Sequence, residues 1–446
     1  MSRPELHFTP VHNWMNDPNG FIYYNGEYHL FYQYFPYDIK WGTMHWGHKT
    51  SKNLIHWKDE GVALYPSKDF DRNGCFSGSA IEVDGKMYIY YTAIIYSKLN
   101  PQNIHVSGDG LIASQAMIIS EDGYTFDPDT KKVIIPTFSK DDLLGHISNT
   151  RDPKVWKETD QYYMVVGSQY EASEKMHGEV LIYTSKDAID WHYSNRLIDE
   201  SIDSNMWECP DMFEVDGQRI LIMSPENIVN DGENYPSHAT WSIVNFNNET
   251  CEASIVQKPQ FLDYGLDLYA PQTTIDKDGN RIVIAWLRMP KCGEDGDWIG
   301  LYTFPRVLYM KDNHLCFKVH PNVDKLFKHK VKDFSLSPRK ISCTMNLDSY
   351  LNIGGFEITF KDNCICTNRE KVFTQAAKLF NDESQVGKRF KTPRINGECH
   401  IDIYVDKQVI EIYVNDGKYV LSNIVYDLKE ELNYQNINDL KLYAIK

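Results

Sequence analysis

Residues 21–33 read FIYYNGEYHLFYQ: an apolar run, an Asn-Gly pair, then a second apolar run. Asn-Gly suits the positive φ angles of a two-residue hairpin turn, and the aromatic flanks suit a half-buried pleated sheet. The pattern returns as AIEVDGKMYIYYTA (80–93), VWKETDQYYMVVG (155–167), MFEVDGQRILIMS (212–224) and TTIDKDGNRIVIAWL (273–287). Helical periodicity is scarce between these copies. Five hairpins roughly 55 to 75 residues apart leave room for about four strands per unit. Such radial repetition predicts an all-β chain whose first domain is a five-bladed β-propeller around a central channel, with a pair of β-sandwiches as the alternative. A shorter motif, SKNLIHW (51–57), SEDGYTF (120–126) and SKDAIDW (185–191), reads as the outer-strand turn of the same unit.

Past the fifth hairpin the texture changes. Residues 1–315 hold the repeats, 316–330 (CFKVHPNVDKLFKHK) read as a connector, and 331–446 alternate in short strands such as FEITFKDN and CHIDIYVDKQVIEIYVNDGKYVLS. This last part is expected to be a C-terminal β-sandwich with a structural role.

Composition narrows the function classes. The net charge of −16 is spread along all 446 residues, which argues against a nucleic-acid partner. No apolar run is long enough to span a bilayer, so no membrane role is expected. The start, MSRPELHFTP, lacks the apolar stretch of a secretory leader. The nine cysteines are scattered without a CxxC pair, which suits a reducing compartment. A cytoplasmic location is the expectation. The sequence carries no signal for oligomeric state. Tyr, Phe and Trp together make up 13% of the chain, a richness that fits both sheets and sugar-stacking surfaces.

Counting back nine residues from the turn position of each hairpin gives Asp17 from Gly26, Asp152 from Gln161 and Glu208 from Gly217; the remaining two copies give Phe76 and Ala270. Three carboxylates at one offset are expected to ring the channel mouth. One Asp before Pro is ordinary turn punctuation, but converging like charges are costly unless chemistry or a cation uses them. Calcium is the competing use, yet the dense ligand spacing of a dedicated site is missing. His45 and His48, in MHWGH, should face opposite sides of a strand with no third ligand nearby, so no metal site is expected.

WMNDPNG (14–20), FSGS (76–79), RDP (151–153) and ECP (208–210), in this order, resemble the motifs of the family 32 glycoside hydrolases, which include invertases, sucrose-6-phosphate hydrolases and fructanases. WGTMHWGH (41–48), DYGLDLYAPQT (263–273) and IEIYVNDG (410–417) extend the resemblance over nearly the whole chain. It implies a propeller followed by a sandwich, a small sugar substrate and no cofactor. It further implies that Asp17 is a nucleophile, Glu208 an acid/base and Asp152 a third acid that grips fructose hydroxyls. The first two should lie roughly 5–5.5 Å apart, as a retaining glycosidase requires. Arg151 is implied as the group that orders the acids, and Asn16, Gln33, Trp41, Phe76, Ser77 and Trp286 as sugar contacts, with Trp14 at the entrance. Met15 stands where the family more often has Leu, and Phe35-Pro36-Tyr37 departs from the usual Asn-Pro. These readings leave open hydrolysis or fructosyl transfer, sucrose or its 6-phosphate or short fructans, and a sugar-binding propeller without catalysis.

Overall fold

The computed structural model describes residues 3–139, 142, 144–230, 233–265, 267–290, 292, 296–373 and 387–445. The Asn25-Gly26, Asp84-Gly85 and Asp216-Gly217 pairs all have positive φ, as mirror-image hairpin turns require. They join the two innermost strands of three sheets: Asn13–Tyr24 with Glu27–Phe35, Gly74–Val83 with Lys86–Tyr96, and Met206–Val215 with Gln218–Asn230. Arg151–Glu158 with Gln161–Ala172, and Leu268–Ile275 with Arg281–Leu287, form the other two inner pairs. Each pair continues outward through two more antiparallel strands, giving the five blades of a β-propeller.

Blades meet through large side chains from their alternating faces. Trp46, Trp207, Trp241 and Trp298 are all essentially inaccessible. The ring is sealed where Trp298-Ile299, after the second strand of blade five, runs parallel to Asn13-Trp14 at the start of blade one. Three of the turns between third and fourth strands use one device. The Ser51, Ser120 and Ser185 hydroxyls donate to Asn53, Asp122 and Asp187, and each of those Oδ1 atoms accepts two following backbone N–H groups. The Ser-x-Asx motif of the sequence is this cap.

Residues 316–319, which the sequence reading gives to the connector, complete the outermost strand of blade five, His314–Val319, because their alternation is still that of a strand. One helical turn follows at Pro321–Asp324, and His329–Val331 already pairs with the final strand, Leu432–Ala444. The C-terminal sandwich is organised by the long strand Arg339–Ile353. Its first half pairs with Cys399–Asp406 and its second half with Phe356–Lys361, with the left-handed Asp348 near the change of partner. The strand thus bends from one layer into the other.

The two domains are locked by buried charge. Arg306, on blade five, lies 3.1 Å from Asp263 and 2.9 Å from Glu411 of the sandwich, and donates to Ser422 Oγ at 2.6 Å. Arg369 of the sandwich makes a bidentate pair with Asp267. His7 sits between Asp406 (2.9 Å) and Glu411 (3.2 Å). Burial alone would lower its pKa, but these two carboxylates raise it. No helix among the described residues is long and apolar enough to cross a membrane.

Candidate active site

The inner strands enter the ring from one end, and each breaks its register soon after entering. The irregularities fall at Met15/Pro18, Phe76/Gly78, Arg151/Lys154, Glu208/Asp211 and Tyr269/Gln272. A bulge re-aims successive side chains, so neighbouring residues can both serve the mouth of the channel. Asp152, Cys209 and Ala270, each before a proline, hold φ of 68°, 48° and 47°. Left-handed backbone of this kind costs of order 1–3 kcal/mol per residue and needs support from around it. The support is repeated: each of these N–H groups donates to a side chain of the preceding blade. Asp152 N–H reaches Thr92 Oγ1 (2.9 Å), Cys209 N–H reaches Asp152 Oδ2 (2.9 Å) and Ala270 N–H reaches Ser224 Oγ (3.1 Å).

This geometry corrects the expectation that the three acids share one address. The turn in blade three is Thr159-Asp160, closed by the pair Glu158–Gln161, so Asp160 rather than Gln161 stands where Gly26 and Gly217 stand. Blade one carries an extra residue between Asn19 and Ile22. With both allowed for, the equivalent residues are Asp17, Ser77, Asp152, Cys209 and Ala270. Glu208 lies one residue earlier, in line with Asn16, Phe76, Arg151 and Tyr269. The equal offsets arose because each irregularity adds one residue to its own blade's count, which hides the one-residue displacement of Glu208.

The acids nevertheless converge. Asp17 accepts from Ser77 Oγ at 2.6 Å and from Asn16 Nδ2 at 3.1 Å, and Asn16 is itself held by Trp14 Nε1 at 2.7 Å. Burial raises the Asp17 carboxyl to about 6; the Ser77 hydrogen bond opposes the rise and the charge of Glu208 adds to it. The Cys209 thiol bridges Asp17 (3.8 Å) and Asp152 (3.5 Å). Burial and then those carboxylates push this thiol well above its ordinary range, so it stays neutral. Asp152 is buried, and desolvation raises it, opposed by Arg151 and reinforced by Glu208 and Asp17.

Glu208 is held at both oxygens. Arg151 Nε donates to Oε1 at 2.9 Å, and the Tyr269 hydroxyl donates to Oε2. Arg151 Nη1 also donates to Asn149 Oδ1 (2.8 Å), and Nη2 to Glu226 Oε1 (3.1 Å). Burial works against the guanidinium charge, but Glu208, Glu226 and Asp152 more than compensate and raise its pKa. Sequence reasoning gave Tyr269 and Glu226 no role. Tyr269 lies in the quoted DYGLDLYAPQT stretch, whereas Glu226 sits mid-strand in SPEN with no motif around it.

Of the residues expected to contact sugar, Phe76 and Trp41 meet edge-to-face at the mouth with centroids 5.7 Å apart, and both are partly exposed. Gln33 is 2% exposed and donates to the Cys75 carbonyl at 2.9 Å. Trp14, expected at the entrance, is instead buried, 6.1 Å from Trp286. It forms the backing of the site. Deeper in the channel, Lys154 pairs with Asp211 (3.1 Å), and Gln272 donates to the carbonyls of Gly78 (2.9 Å) and Pro18 (3.2 Å), stitching three blades together. His45 and His48 are buried; His48 bonds to His29 at 3.0 Å, and among the described residues no group of His, Cys, Asp and Glu is arranged to hold a metal ion.

Comparison with known proteins agrees with this architecture. The N-terminal domain model of glycosyl hydrolases family 32 matches residues 7–321, and the C-terminal model of the same family matches residues 329–445. The chain belongs to glycosyl hydrolase family 32. Family 32 relatives include a sucrose-6-phosphate hydrolase of Vibrio alginolyticus, 31% identical over 99% of this chain and 90% of the relative. A raffinose invertase of Escherichia coli is 33% identical over 99% of this chain and 92% of its own length. Among solved structures, a Bombyx mori family 32 β-fructofuranosidase superposes with a TM-score of 0.78 at 26% identity, covering 100% of this chain and 94% of that one. The protein is therefore a glycoside hydrolase.

Proposed function

We propose that this family 32 enzyme hydrolyses sucrose or sucrose 6-phosphate with retention, through a covalent fructosyl-enzyme intermediate. The observation that carries the reading is the unequal treatment of the acids at one mouth. Asp17 is fixed by Ser77 and Asn16, with no cation bonded to it among the described residues, and above about pH 6 it is an anion free to attack the anomeric carbon. Glu208 is aimed by Arg151 and Tyr269, as suits a group that must first protonate the leaving oxygen and then take a proton from water. Asp152, beside both and locked to the Cys209 N–H, would grip the fructose hydroxyls and favour the oxocarbenium-like transition state. Phe76, Trp41 and Trp286 offer apolar faces to the sugar rings, and Asn16, Gln33 and Ser77 supply directional polar groups. The names of the relatives support a sucrose-type donor of either form.

The test is fructose release from sucrose, sucrose 6-phosphate and a short inulin-type oligosaccharide, with Asp17→Asn as the blank. Rapid release from either of the first two supports the reading and settles the phosphate. Release from the oligosaccharide alone reassigns the enzyme to fructan breakdown. The covalent step is checked separately by intact mass: Glu208→Gln fed an activated fructoside should accumulate a fructosyl adduct on Asp17.

A further inference from the structure

Arg151 Nη2 lies 2.8 Å from Glu208 Oε1 and 3.1 Å from Glu226 Oε1, so one guanidinium nitrogen serves two carboxyl groups. Two acids against one cation leave one negative charge too many, and like charges this close do not both ionise readily. We propose that Glu226 is a positioning residue that keeps one proton on the Glu208–Glu226 pair through neutral pH, so that the acid step can fire there.

The surroundings agree. Glu226 enters from the second strand of blade four, paired with Met206 at the start of the strand that carries Glu208, so both carboxyls belong to one hairpin. The groups facing the pair are Asp17 from blade one, Arg151 and Asp152 from blade three, Tyr269 from blade five, and Cys209 beside Glu208. Arg288 lies over the Tyr269 ring at 5.3 Å, and His146 feels the charge of Arg151. Burial holds the Tyr269 phenol well above its ordinary value, so it remains a donor and cannot take the shared proton. Burial, then the charge of Glu208, raises Glu226 to about 7 against the opposing pull of Arg151. In the acid step Glu208 passes the proton to the glycosidic oxygen and the pair is left doubly ionised against Arg151. In the second step the attacking water returns a proton to the pair, and the balance is restored.

The inference rests on the β-fructosidase reading, and its test keeps the two apart. Wild type, Glu226→Gln and Glu226→Asp are assayed from pH 4 to 9 on sucrose and on a nitrophenyl β-fructofuranoside, whose leaving group needs little protonation. The Gln variant should narrow the bell-shaped kcat/KM profile on sucrose from its alkaline side, by about one pH unit or more, with the acidic limb unmoved. Its loss on the aryl substrate at pH 7 should be several-fold smaller than on sucrose, and Asp should recover part of what Gln loses. An alkaline limb that stays put in the Gln variant overturns the proposal, as does an equal loss on both substrates. If the Gln variant fails to fold, Glu226→Ala against Glu226→Asp gives the same comparison, with coincident profiles as the overturning result. Failure of the wild type to release fructose from any fructoside would instead sink the β-fructosidase reading.

Discussion

The backbone N–H of Cys209 donates to Asp152 Oδ2 at 2.9 Å, so the acid of blade three grips the strand that carries Glu208. Asp152 thereby has two tasks. One carboxyl oxygen holds a left-handed backbone in place, while the group as a whole faces the channel with Asp17 nearby.

Replacing Asp152 should therefore separate stability from activity as pH changes. Its carboxyl is held above the unfolded value of 3.8, so the folded state keeps a proton that the unfolded chain has already lost. Stability from this group is fully present below about pH 4 and is lost as pH rises through the folded value. Asp152→Asn removes that penalty and keeps an oxygen for the Cys209 N–H. It should melt higher than wild type at pH 8, with the difference vanishing toward pH 4, while activity falls severely at every pH. Scanning calorimetry across this range is the check, and a variant that melts lower at pH 8 would refute the assignment.

The acidic limb of kcat/KM should lie near pH 6, where Asp17 ionises. The Ser77 hydroxyl favours the anion, so Ser77→Ala should move that limb to higher pH. A limb that moves down, or stays, would mean that Asp17 is not the group being titrated.

Asp17→Asn and Glu208→Gln should each nearly abolish sucrose hydrolysis, the latter by about 10²–10⁴-fold, the usual worth of acid/base assistance. Both should keep melting temperatures at or above wild type, because each removes a charge from a crowded set. Retention of most activity in either would break the proposed roles.

Arg151 uses three nitrogens on three different partners, which a lysine cannot reproduce. Arg151→Lys should lower kcat by roughly 10–150-fold, the equivalent of one charge-assisted hydrogen bond of about 1.5–3 kcal/mol. Steady-state kinetics on sucrose will show whether KM moves less than kcat.

At the domain junction, Arg306→Ala strands Asp263 and Glu411 without their cation. Breaking a buried pair from one side costs about 3–5 kcal/mol. Denaturant unfolding should show the loss, with kcat per folded molecule unchanged.

Much of this was legible beforehand because hairpin turns are local chemistry. Asn-Gly and Asp-Gly announce themselves, and five copies with room for about four strands each favour closure as a ring. The three acids were legible through their motifs, although the reason first given for their convergence was wrong. A bulge adds a residue without leaving a mark in composition, so the extra residue in blade one and the early turn at Thr159-Asp160 could not be seen in a count. Glu226 was invisible for another reason. Its importance comes from Arg151, 75 residues away and on the neighbouring blade, and no local pattern encodes such a partner.

Asp17, Asp152 and Glu208 come from blades one, three and four, and the ring is sealed by Trp298-Ile299 against Asn13-Trp14. No fragment that stops short of residue 298 contains both the acids and the seal that fixes their spacing. The first blade must wait, with its aromatic edge uncovered, until nearly 300 residues of chain have been made. Hydrolysis is thus a chemical clock for folding: in a refolding experiment, fructose should appear only after the slowest, longest-range step, and the lag before its release would time the closing of the ring.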